Sequence, residues 1–123
     1  MSWLSIPAVL QFFVGLGLLN VWLLRSRSAT GYRGGSATSL KEEFQVYGLP
    51  EFAYYLVGTL KVLAGIVLIA GIWISLPVTI AAAVVAALMV GALAMHVKVG
   101  DPVKKSLPAA LVLVMSLAII FLR

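Results

Sequence analysis

The chain has 123 residues, 63% of them hydrophobic and 11% charged, with a net charge of +5 and no cysteine. Soluble domains carry about 25% charged residues, so a mean hydropathy of +1.12 points to an integral membrane protein. The missing cysteines exclude disulfides, thiol redox relays, iron–sulfur clusters and thiolate metal sites.

Four apolar runs and little else fit this length, so the reading is one membrane domain over residues 1–123. The first run covers about 3–24. No basic stretch precedes it, and its length suits a span better than a cleaved signal. Pro7 falls in the first turn, where proline is tolerated. Trp3 and Trp22 mark the two ends, as interfacial aromatics do. Asn20 lies on the Phe13–Gly17–Asn20 face, one turn from the end. Such a residue often hydrogen-bonds between helices.

Residues 25–51 form the one long connection. It carries Arg25-Ser26-Arg27 and Tyr32-Arg33-Gly34-Gly35. Ser39-Leu40-Lys41-Glu42 then has the form of a capping box. Leu40, Phe44 and Tyr47 recur on one face, and Gly48 and Pro50 end the helix. The pattern predicts a short amphipathic helix at about 40–47, in the headgroup region or tucked against the bundle mouth.

The second run, about 52–73, contains the one charge inside any apolar run, Lys61. A charge at that depth costs about 2.5–3.5 kcal/mol on insertion scales. Glu51, Tyr54, Gly58, Lys61 and Gly65 follow one another at steps of three and four, making one stripe. Gly58 and Gly65 mark a close-packed face, which turns Lys61 inward. A tight hairpin at 74–76 leads to the alanine-rich third run, about 77–97, where Ala87 and Gly91 offer a second packing face. His96 lies at its end.

The fourth run, Leu107 to Leu122, is short for a bilayer. Either Asp101 caps a longer helix, about 102–122, with Pro102 in its first turn, Lys104 and Lys105 snorkelling and Pro108 bending it, or Ser106 caps a short helix and the bilayer thins. The fold class is all-α: a membrane four-helix bundle with an interfacial helix between spans 1 and 2.

Arg25, Arg27, Arg33, Lys41, Lys98, Lys104 and Lys105 occupy two connections on one side, against Arg123 on the other. The asymmetry predicts those connections in the cytoplasm and both termini outside. Basic connections of this kind set orientation and attract anionic lipid, and they argue against a nucleic-acid partner.

Asn20, Tyr54, Tyr55, His96 and, deeper, Lys61 gather toward one end of the predicted bundle. They can line a polar-mouthed pocket with an apolar depth, suited to a quinone, a lipid or a small acid. Each also has a structural reading: Lys61 as a lysine bonded to carbonyls, His96 as a wetted interfacial histidine. One histidine and no cysteine argue against a protein-only metal site, and His96 could ligate a haem only together with a second subunit. Glu42, Glu43 and Glu51 lack metal-ligand spacing, and no phosphate loop or nucleophile triad is present.

Several motifs together resemble the DoxX-like family of small four-span bacterial membrane proteins. They are Tyr32-Arg33-Gly34-Gly35, Glu43-Phe44-x-x-Tyr47-Gly48-Leu49-Pro50, Gly58-Thr59-Leu60-Lys61, and Ala94-Met95-His96-Val97-Lys98-Val99-Gly100-Asp101-Pro102. The resemblance implies a four-helix bundle in the bacterial inner membrane. For some members it also implies association with redox assemblies such as thiosulfate:quinone oxidoreductase systems. Family members often carry an acidic residue in the second span, where this chain has Lys61.

The expected function is a non-catalytic accessory or ligand-binding membrane subunit, without an intrinsic cofactor, beside other membrane subunits or its own copies. The alternative is a small oligomeric transporter or channel for an anion or proton-coupled solute, using Lys61.

Overall fold

The computed structural model describes residues 5–24 and 34–123. Trp3, Arg25, Arg27, Tyr32 and Arg33 lie outside the described residues. Helix α1 (Ile6–Leu19) runs into a π-helical segment, Asn20–Leu24. A short helix α2 (Leu40–Val46) precedes α3 (Glu51–Ala70), α4 (Val78–Lys98) and α5 (Val103–Leu122). Four of these segments, 19 to 21 residues long with α1 and its π segment counted together, are apolar and long enough to cross a membrane. The protein is a multi-pass membrane protein built as an all-α bundle.

The spans pack in a ring: α1 against α3 and α5, and α4 against α3 and α5. Successive spans are neighbours, the up-and-down arrangement that short connections favour. Helix α2 lies against α3. Leu68, Ala82, Val85 and Ile119 are fully buried, with Val14 and Val78 beside them. They fill the half of the bundle nearest the α3–α4 turn. Gln11 ties that end together, its Nε2 donating to Leu68 O at 2.9 Å while its Oε1 accepts from Arg123 Nη1 at 3.1 Å.

Helix α1 packs on α3 at glycines. An ideal Cβ on Gly15 meets Gly65 O at 2.7 Å, and one on Gly58 meets the Trp22 ring at 2.6 Å. Gly58 and Gly65 are thus covered from within the chain, whereas Ala87 and Gly91 are exposed and a Cβ on Gly91 meets nothing within 4 Å.

Three local details refine the sequence reading. The capping box reaches one residue further back: Ser39 Oγ accepts from Glu42 N–H at 3.2 Å, and the Glu42 carboxylate accepts chiefly from Thr38, both N–H (2.9 Å) and hydroxyl. Those bonds hold the Glu42 carboxyl below the usual range. Helix α5 is the long form and keeps Pro108 inside it, yet Pro102 occupies its N-cap and the Asp101 carboxylate is used elsewhere. Trp22, at the end of the first span, packs inward. It sits in the π segment among Phe44 and Tyr54, with ring centroids 6.0 and 5.3 Å away.

Candidate ligand-binding site

The half of the bundle nearest α2 encloses a cavity of about 400 Å³. Its apolar wall includes Leu18, Val21, Met89, Ala92 and Val112, and its polar groups are Lys61, Glu43, His96 and Lys105. Gly17 lines it at an exposed position of α1, and a Cβ there meets nothing within 4 Å. An apolar cavity with a few convergent polar groups is the usual form of a small-molecule site.

Lys61 projects from the middle of α3 into this space. Its ammonium stands 5.4 Å from the centre of the Trp22 ring, within cation–π range. Among the described residues it has no hydrogen-bond partner, so its three donors are open to a ligand. Glu43 shares the cavity wall. It is 8% exposed and accepts from Tyr47 O–H at 2.5 Å. Amphipathic spacing explains its place, since Glu43 is three residues from Leu40 and one from Phe44, both buried on the inner face of α2. Gly48, at φ 77°, then ends α2 with paired bonds, Gly48 N–H to Gln45 O and Leu49 N–H to Phe44 O.

The same capping geometry builds the other polar group. Gly100, at φ 71°, follows α4, with Gly100 N–H bonded to Val97 O and Asp101 N–H to His96 O. This turn folds Asp101 back over His96. Asp101 Oδ2 lies 2.7 Å from His96 Nδ1, with the two side chains 4% and 6% exposed. Asp101 Oδ1 accepts from Gly35 N–H at 2.9 Å, and Lys105 Nζ lies 3.8 Å away while donating to Gly35 O at 2.7 Å. Burial pushes the Asp101 carboxyl up, but the His96 and Gly35 bonds and the Lys105 charge outweigh it, and it ends below its ordinary 3.8. Asp101 is therefore a carboxylate, and His96 Nδ1 carries the proton toward it.

The candidate residues divide. Lys61 and His96 share the cavity. Tyr54 and Tyr55 line a separate groove of about 330 Å³ outside α3, with Trp22 as the wall between the two spaces. Asn20 is half-buried in the π segment and lines neither. Glu51 pairs with Lys41 at 3.0 Å on the surface, which raises the Lys41 pKa. Spacing alone missed Glu43 and Lys105 as cavity residues and Asp101 as the partner of His96. Glu43 was findable from its place on the apolar face of α2, and Asp101 from the His-x-x-x-Gly-Asp order around a helix end.

No curated protein and no solved structure matches the chain. The model of the DoxX-like family matches residues 19–119. That stretch holds α2, α3, α4 and every polar group of the cavity, and the protein belongs to the DoxX-like family.

Proposed function

We propose that this protein is a non-catalytic membrane subunit that binds an amphiphile within its bundle. The supporting observation is the Lys61 ammonium, which has no hydrogen-bond partner among the described residues, inside an otherwise largely apolar cavity. A hydrogen-bond-accepting headgroup, such as a quinone carbonyl or a lipid acid, meets Lys61, and the apolar remainder follows Leu18, Met89 and Val112. The charge that is costly at this depth then has a role when the site is filled. The link of some family members to redox assemblies favours a quinone and a partner complex. With the basic connections cytoplasmic, the polar end of the cavity faces the cytoplasm of an inner membrane.

The transporter reading is weaker. A path through one copy has to cross the half that Leu68, Val78, Val85 and Ile119 fill.

The test is purification in mild detergent, with mass spectrometry of co-purifying proteins and of extracted small molecules. The expected result is a stoichiometric amphiphile that Gly17→Phe and Lys61→Met both remove, together with partner subunits. A folded wild-type protein that carries no amphiphile at native expression overturns the binding reading. Absence of any partner overturns the accessory role.

A further inference from the structure

The cavity carries a base as well as a donor. His96 gives its Nδ1–H to a buried carboxylate, so the neutral ring keeps a lone pair on Nε2. No hydrogen bond to that nitrogen forms among the described residues, and His96 lines the cavity. Asp101 is itself fixed by Gly35 and Lys105. A carboxylate held in this way fixes the orientation of the imidazole ring and the nitrogen that faces the cavity. Across the same cavity, Lys61 offers open N–H donors.

We propose, resting on the binding reading above, that the cavity takes a weakly acidic amphiphile of the phenol class and binds it as its anion, with His96 as the proton acceptor and Lys61 as the oxyanion partner. On binding, the ligand O–H bond breaks and its proton forms an N–H bond at His96 Nε2. The oxygen keeps the electron pair and accepts from the Lys61 ammonium. Asp101 balances the imidazolium. Release runs the same transfer backward, and no oxidant or further reactant is needed.

The other charged groups around His96 fit this assignment. Lys105 of α5 and Asp101 of the α4–α5 turn are joined to Gly35 and to each other. From α2, the Tyr47 ring packs edge-on to His96 at 5.9 Å, and its hydroxyl is occupied by Glu43. Lys98 of α4 is directed to Tyr47 O at 2.8 Å. Glu43 shares the cavity with Lys61 and attracts its charge without a hydrogen bond to it, so Lys61 keeps N–H donors for a ligand, opposite His96.

The experiment uses the full chain in nanodiscs and an alkylated nitrophenol, whose phenolate has its own absorption band. Binding is read by co-elution, and ionisation by absorbance across pH, against protein-free nanodiscs. The expected result is a bound probe whose ionisation midpoint lies about one pH unit or more lower than in empty nanodiscs. His96→Gln weakens binding and returns most of that shift in the probe still bound, Asp101→Asn returns part of it, and Lys61→Met loses both shift and affinity. Circular dichroism and gel filtration check that each variant is folded, and if His96→Gln is not, the Asp101→Asn and Lys61→Met titrations decide. A bound probe with an unshifted midpoint overturns this inference and leaves the binding reading standing. A probe that does not bind overturns it too, while an amphiphile co-purifying with the native protein judges the binding reading separately.

Discussion

Gly35 and Asp101 meet at 2.9 Å, the backbone N–H of the first donating to Oδ1 of the second across 66 positions of chain. Through this contact the loop before α2 is tied to the turn after α4. The other oxygen of the same carboxylate holds His96. Asp101→Ala therefore leaves two donors without their acceptor, each at a cost of about 1–3 kcal/mol when buried. The expected loss is about 3 kcal/mol, read by thermal unfolding in detergent. Asp101→Asn keeps an acceptor and is expected to lose less.

The pH dependence of stability follows from the same carboxylate. Its folded pKa is depressed below 3.8, so its contribution is fully present above the unfolded value. It is lost as pH falls through the folded value. Wild-type stability is expected to drop below about pH 4, and Asp101→Asn is expected to flatten that drop. An equally steep acid limb in the variant would assign the effect to other carboxylates.

Lys61 separates binding from folding. Placing a cation at this depth costs about 2.5–3.5 kcal/mol, and the Trp22 contact returns about 0.5–2 kcal/mol. Lys61→Met, of similar length and apolar, is expected to be at least as stable as the wild type while losing the ligand. Thermal unfolding of ligand-free protein checks this. A loss above about 1 kcal/mol, the size of an ordinary hydrogen bond, would make Lys61 a structural residue.

The bundle was legible because four apolar runs long enough for a bilayer leave few alternatives. The place of Lys61 on an inward face was legible from the glycines one turn to either side of it. What spacing could not reveal was contact between distant segments. Nothing local to Asp101 indicates that Gly35 will reach it, and the sequence offers its carboxylate only as one of two possible caps for α5, the other being Ser106. The ring neighbours of Trp22 were not legible from its place at the end of the first apolar run. The π segment changes the phase of the face from Asn20 onward, and Trp22 stands against Gly58.

That contact gives a paired prediction. A Cβ on Gly58 stands 2.6 and 2.8 Å from atoms of the Trp22 ring. The ring is boxed in by Phe44 and Tyr54. Gly58→Ala is expected to cost about 1–3 kcal/mol, as overpacking does. In a Trp22→Ala background the same substitution is expected to cost little, because the obstructing ring is gone. A double-mutant cycle on unfolding free energies reads the difference, and additive costs would deny the contact.

Two glycines of α1 separate packing from pocket. At Gly15 a Cβ meets Gly65 O at 2.7 Å and Ile69 Cγ1 at 2.6 Å, so α1 and α3 have to move apart to admit it. A carbonyl oxygen in a helix cannot yield as a side-chain tip can, and Gly15→Ala is expected to cost about 1–3 kcal/mol. Two residues on, a Cβ at Gly17, an exposed residue at the edge of the cavity, meets nothing within 4 Å. There the gain in helix propensity, about 0.8–1.0 kcal/mol, is unopposed by any clash. Gly17→Ala is thus expected to raise stability slightly, and Gly17→Phe to fold while displacing the ligand. Unfolding measurements on both alanine variants, with ligand content on Gly17→Phe, check the set. Equal destabilisation at 15 and 17 would mean that the space beside Gly17 is filled by protein and is no binding cavity.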